Sequence, residues 1–130
     1  MIIERAINDA LTAATGVAVY FGAQPQGTDE APSKLPVIVI NRPDALWPVT
    51  NSGTDTDLAM TTIQVDYYAE GAEDCRRLAD TGRAVVRDIV ANGAALCPGL
   101  RGEQSFYDQV SRAWRVLQTW EVADYAPALA

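Results

Sequence analysis

The chain has no histidine and a single lysine, Lys34, among its 130 residues. Lack of imidazole excludes Ser-His-Asp and Cys-His catalysis, a histidine general base and imidazole-ligated zinc. Cysteine is nearly as sparse. Cys75 and Cys97 lie 22 residues apart and outside any C-x-x-C arrangement. Zinc and dithiol redox chemistry therefore lose their usual signature, and two reduced thiols are expected. No apolar run approaches the roughly 18 residues of a membrane helix. Met1-Ile2-Ile3-Glu4-Arg5 has no basic region leading into an apolar stretch, so no signal peptide is read and a cytoplasmic chain without a membrane partner is expected.

Positive charge is also scarce. Ten basic residues face seventeen acidic ones, for a net charge of −7. Tight DNA binding relies on clustered Lys and Arg that displace counterions, and the nine arginines here are scattered. DNA is thus a polymer that can pass nearby without being held. The phosphate-cradling patterns G-x-x-x-x-G-K-[ST] and G-x-G-x-x-G are absent, as are internal repeats and low-complexity segments. What remains is an ordinary globular composition, 48% hydrophobic and 21% charged. It is read as one domain over residues 1–130, large enough to bury a core without staples.

Periodicity supplies the elements. Ile3, Ala6, Ile7, Ala10, Leu11 and Ala14 fall at helical spacing, with Glu4, Arg5, Asn8 and Asp9 opposite and Gly16 placed to end the helix. Val17 to Phe21 reads as a compact strand, followed by a Pro/Gly-rich connection over 22–34. A second strand is expected over roughly 36–46, its consecutive apolar residues implying burial on both faces or a subunit contact. In Met60 to Ala69, Ile63, Val65 and Tyr67 share one face, while Thr62, Gln64, Asp66 and Tyr68 share the other. A helix is expected from Glu73 to Ala91. Its apolar stripe comprises Cys75, Leu78, Ala79, Gly82, Val85, Val86, Ile89 and Val90, with Gly82 allowing close packing onto the sheet. A short strand is placed around Ser105-Phe106-Tyr107. Arg112 to Asp124 alternates, with Trp114, Val116, Gln118, Trp120 and Val122 on one side, and is expected to pair with the third strand. The order α-β-β-β-α-β, with a further short strand, gives an α+β fold. It is an antiparallel sheet of four to five strands with two helices packed on it.

Candidate sites are few. Asp55-Thr56-Asp57 has the look of a calcium loop, but an EF-hand begun at Asp55 needs glycine where Met60 stands. The adjacent acids Asp29-Glu30 and Glu73-Asp74 do not face one another on a helix, and Glu73 is better placed to meet Arg77. Arg76, Arg77, Arg83 and Arg87 alternate with Asp74, Asp80 and Asp88, the pattern of a solvated helix face. No catalytic residue, metal site or cofactor is assigned, and an enzyme is not expected. Core packing accounts for Trp114 and Trp120. Trp47 stands beside an eleven-residue loop, Trp47 to Asp57, and suits a subunit contact, since long loops in compact domains tend to be functional and Trp is enriched in interface hot spots.

Taken together, several segments resemble the tail terminator, or tail completion, proteins of long-tailed phages. They are the N-terminal helix, Val17 to Phe21, Gln24-Pro25-Gln26-Gly27 and Leu35-Pro36-Val37-Ile38-Val39. The resemblance continues through Thr61 to Ala69, the helix from Glu73 and the stretch Arg112-Ala113-Trp114-Arg115-Val116-Leu117-Gln118-Thr119-Trp120-Glu121-Val122. It implies a subunit that closes with copies of itself into a ring, expected to be a hexamer. The ring would sit on the tail tube protein, stop tube growth and offer a surface to the head-tail connector protein, while DNA passes through its lumen. Assembly would occur in the host bacterial cytoplasm, with the finished protein at the head-proximal end of the virion tail. On this reading Trp47, Val49, Asn51, Asp55 and Asp57 are the expected subunit or tube contacts. Another head-tail connector, and a small cytoplasmic binding module with a pocket beneath the 22–34 loop, are the competing readings.

Overall fold

The computed structural model describes residues 2–22, 35–41, 58–91, 94–95 and 98–125. The first helix, α1 (Ile2–Thr15), forms as its spacing predicts, with Ile3, Ile7 and Leu11 buried along one stripe. Gly16 ends it at φ 68°, its N–H donating to the Thr12 carbonyl at 2.9 Å, a left-handed termination that glycine adopts without a Cβ penalty. Thr15 Oγ1 reinforces the stop by donating to the Leu11 carbonyl and accepting from the Val17 N–H. Glu4, which the spacing puts on the outward face, is instead buried at 3% exposure.

Seven strands and a second helix follow: β1 (Ala18–Phe21), β2 (Val37–Asn41), β3 (Leu58–Ala69), α2 (Ala72–Arg87), β4 (Val90–Ala91), β5 (Ala94–Ala95), β6 (Gly99–Asp108) and β7 (Ala113–Tyr125). The fold is α+β, with a five-stranded sheet in the order β1-β2-β3-β7-β6. Three of its four pairings are antiparallel, as expected, but β1 runs parallel to β2 and makes the sheet mixed. The fifteen residues between Phe21 and Val37 permit this, because a parallel pair needs a crossover of about a dozen residues or more. All twelve residues of β3 pair with β7, from Leu58↔Tyr125 to Ala69↔Trp114, which realises the expected pairing of the third and last strands.

Both helices pack on one face of the sheet. Ile38, Ile40, Ile63, Val65, Tyr67, Val116, Trp120 and Val122 meet Ile3, Ile7, Leu11, Cys75, Ala79 and Val86 in a single core. Val37 and Val39 point the other way and form a second buried cluster with Tyr68 and Ala113. The unbroken apolar run of β2 therefore reflects burial on both faces within this chain.

Close packing is concentrated at Gly82. A Cβ there would stand 2.5 Å from Tyr67 Cζ, inside any real contact. The α2 backbone thus rests on the Tyr67 ring, which is fully buried. The helix ends at Arg87, four residues before the Ala91 that its stripe predicts. Asp88 and Ile89 donate to the Val85 and Val86 carbonyls, the tightened bonds of a closing turn. Ile89 still reaches the core, but Val90–Ala91 leaves the helix to pair with Ala94–Ala95. The two intervening residues are Asn92-Gly93, the strongest short-range hairpin signal, and that local preference overrides the continuing apolar stripe. Among the described residues no helix is long and apolar enough to cross a membrane.

Candidate assembly surface

Period-two alternation in β7 divides its side chains between two different polar systems. On the helix side Gln118 is fully buried. Its Nε2 donates to the Ala79 carbonyl at 3.1 Å and to Glu103 Oε1 at 2.9 Å, while its Oε1 accepts from Trp120 Nε1 at 3.4 Å. Arg76 Nη2 donates to the same Glu103 oxygen at 2.6 Å, and Arg76 also pairs with Asp80. Side chains thereby tie α2 to the outer strand β6. Burial alone would raise the Glu103 carboxyl pKa, but hydrogen bonds from Gln118 and Arg76 outweigh it and hold the group below the ordinary carboxylate range. A depressed carboxyl stabilises the fold above its unfolded pKa, and this contribution is lost as pH falls through its folded pKa. Glu103→Gln is accordingly expected to flatten part of the acid-side loss of stability, read from urea midpoints across a pH series.

On the opposite face Arg115 is the centre. Its Nη2 donates to Asp66 Oδ2 at 2.8 Å, and its Nη1 lies 3.6 Å from Asp108 Oδ2. The guanidinium is stacked between two rings, 5.4 Å from the Tyr68 centroid and 5.3 Å from that of Phe106. Such placement is favourable because the ring faces carry negative potential. Asp66 is 3% exposed, with Oδ1 lacking a hydrogen-bond partner. Burial therefore pushes its carboxyl up despite the Arg115 bond that pulls it down, whereas the arginine pKa is raised by its acidic neighbours and its charge is held. Asp108 has a second task. Its Oδ1 accepts from the Val110 and Ser111 N–H groups, closing the turn between β6 and β7, where Arg112 adopts a left-handed φ of 53°. Tyr107 meets Trp114 edge-on at 5.5 Å across the same hairpin.

This cluster is built from residues that sequence reasoning treated as ordinary strand positions. Asp66 and Arg115 do carry opposite charges on the polar parities of two strands expected to pair. Only the register Tyr68↔Arg115 brings them together. The short strand expected around 105–107 is present and runs to ten residues, its length hidden because its burial pattern is mostly exposed and it lacks apolar alternation.

Trp120 is in the core at 1% exposure, and Trp114 packs at its margin. Glu73 pairs with Arg77 at 3.2 Å, and arginines and aspartates interleave along α2 in exposed ion pairs, each worth little in solvent. Cys75 is a free, buried thiol whose Sγ contacts the Tyr67 and Trp114 carbonyls. Trp47, Val49, Asn51, Asp55 and Asp57 lie outside the described residues, as do Asp29-Glu30 and Cys97. Among the described residues no group of three or more His, Cys, Asp or Glu is arranged to hold a metal ion. A cleft of 430 Å³ opens between the end of α1 and the start of α2, beside Leu35 and Pro36. Its cation, Arg77, is already paired with Glu73 and Asp74.

Exposed apolar surface is distributed unevenly. The large exposed hydrophobic residues among those described are Tyr20, Phe21, Phe106, Tyr107 and Val110. Tyr20 and Phe21 lie on β1, and the other three on β6 and its turn into β7. They therefore mark the two outer strands of the five-stranded sheet.

No protein-family model and no curated protein matches the chain. Among solved structures, it resembles a chain from the virion of a native gene transfer agent particle. The TM-score is 0.57 and the identity 14%, over 96% of this chain and 92% of that one. The likeness extends to nearly the whole fold.

Proposed function

We propose that this chain is a structural virion subunit that closes as a ring on the end of a phage-type tail tube, stops its elongation and presents the surface that joins the head. The observation that carries the reading is the placement of exposed aromatic and apolar side chains on both outer strands of one sheet, where a repeating subunit needs contacts on two sides. Heterologous contacts of this kind close into rings when the rotation permits. The likeness in fold to a virion chain and the sequence resemblance to tail terminators support the same reading. A net charge of −7 suits a wall past which DNA slides without being held. The reading assigns the 47–57 loop to the contact with a neighbouring subunit or the tube.

Electron microscopy of particles assembled without this protein tests it. Overlong tails are the expected result; normal free tails that fail to join heads would instead indicate a connector. Deleting Val49 to Thr56 is expected to leave a folded chain that no longer caps tubes. Tails of uniform length that still join heads would remove the loop from the interface.

A further inference from the structure

The outer strand β6 differs from most exposed sheet edges. Edge strands expose unpaired backbone donors and acceptors, and soluble proteins commonly protect them with free charge, proline or very short length. In β6, ten residues long and without proline, the charged residues are all engaged inside the subunit. Arg101 Nε binds Glu121 at 2.6 Å, Glu103 binds Arg76 at 2.6 Å, and Asp108 lies 3.6 Å from Arg115. Its irregularity lies near one end, between Leu100 and Gly102. At the other side of the sheet, β1 reads Ala-Val-Tyr-Phe and contains no charge. β1 is thus apolar, the charges of β6 are paired within the subunit, and among the described residues neither strand presents an unpaired charge to a neighbour.

Strand directions make these edges complementary. β1 runs with β2; β3 opposes β2, β7 opposes β3, and β6 opposes β7. Hence β1 and β6 of one subunit run in opposite directions. Two copies placed side by side, with their helical layers on the same side, bring β6 of one against β1 of the next as an antiparallel pair. Resting on the reading of this chain as a ring subunit, we propose that the occupant of the β6 edge is β1 of a second copy. The ring is then held by one sheet continuing from subunit to subunit. Closure removes every edge, as it does in a barrel, and this accounts for a ten-residue outer strand that has neither proline nor an unpaired charge. The contact is heterologous, so each copy uses two different surfaces.

That property gives the test. Tyr20→Lys places an unpaired charge on the β1 side, and Ser105→Lys does the same on the exposed middle of β6. Each variant is expected to melt like the parent by circular dichroism and to lose oligomers in native mass spectrometry. Mixing the two leaves one intact pairing, the β6 of the first against the β1 of the second, so heterodimers appear and nothing larger. Hydrogen exchange gives an independent readout. Amides within Ala18–Phe21 and Gly99–Asp108 are expected to slow on the order of tenfold or more upon assembly. Oligomers unaffected by either lysine, or assembly that protects other segments only, overturn the strand pairing and leave the ring reading standing. A parent chain that remains monomeric both in solution and on isolated tail tubes overturns both. Failure of the tail-length experiment with oligomers still broken and restored as described removes the capping role alone.

Discussion

Replacing Arg115 with alanine is expected to lower stability by about 3 kcal/mol at neutral pH, the scale seen when one partner of a buried ion pair is removed. The cause is less the lost bond than the group left behind. Asp66 is almost wholly buried, its Oδ1 has no hydrogen-bond partner and its Oδ2 depends on Arg115. The carboxylate also lies near Asp108, whose charge raises its pKa further. A raised carboxyl favours the protonated folded state. Its stabilising contribution is complete below the unfolded pKa and declines as pH rises through the folded value. Without Arg115 the folded pKa rises more, so the deficit of the variant should shrink as the buffer is made mildly acidic. Urea unfolding of parent and variant at both pH values measures this. A deficit independent of pH would mean that Arg115 acts through packing between Tyr68 and Phe106 rather than through charge. Arg115→Lys keeps the charge but loses the fork that reaches Asp66 and Asp108 together, and should fall between the two.

Gly82→Ala is expected to cost about 2 to 3 kcal/mol, although the same change in an exposed helix gains roughly 1 kcal/mol in propensity. The added methyl would stand 2.5 Å from Tyr67 Cζ, with the ring carbon Cε1 and the hydroxyl oxygen nearer still. Tyr67 is fully buried beneath α2, near the C-terminal end of β3, so the ring cannot swing out to solvent. Thermal melting should show the loss, and Gly82→Ala with Tyr67→Phe should recover only part of it, because the ring carbons remain in the way. A neutral or stabilising Gly82→Ala would show that α2 lifts from the sheet at little cost.

Local pattern made much of this architecture readable. The α1 stripe, the alternation of β3 and β7 and their pairing all follow from side-chain period, since burial on one face demands it. Gly82 was legible as a point of close approach because nothing else justifies glycine inside an apolar stripe. Boundaries were less so. The α2 stripe continues through Ile89 and Val90, but the Asn92-Gly93 signal draws Val90–Ala91 into a hairpin. β6 was barely visible, because an outer strand with few buried side chains leaves little periodicity to find.

Composition by itself determined that this chain has no histidine chemistry, since it contains no histidine, and that acidic residues outnumber basic ones by seven. Sequence order likewise specified two helices on a β-sheet. Tertiary structure alone decided that β1 lies parallel to β2, that Arg115 bridges Asp66 and Asp108 between two rings, and that the exposed apolar residues mark opposite edges of one sheet. Those facts depend on register and strand order. Both are set by contacts between residues distant in the chain, which side-chain period along a single segment does not encode.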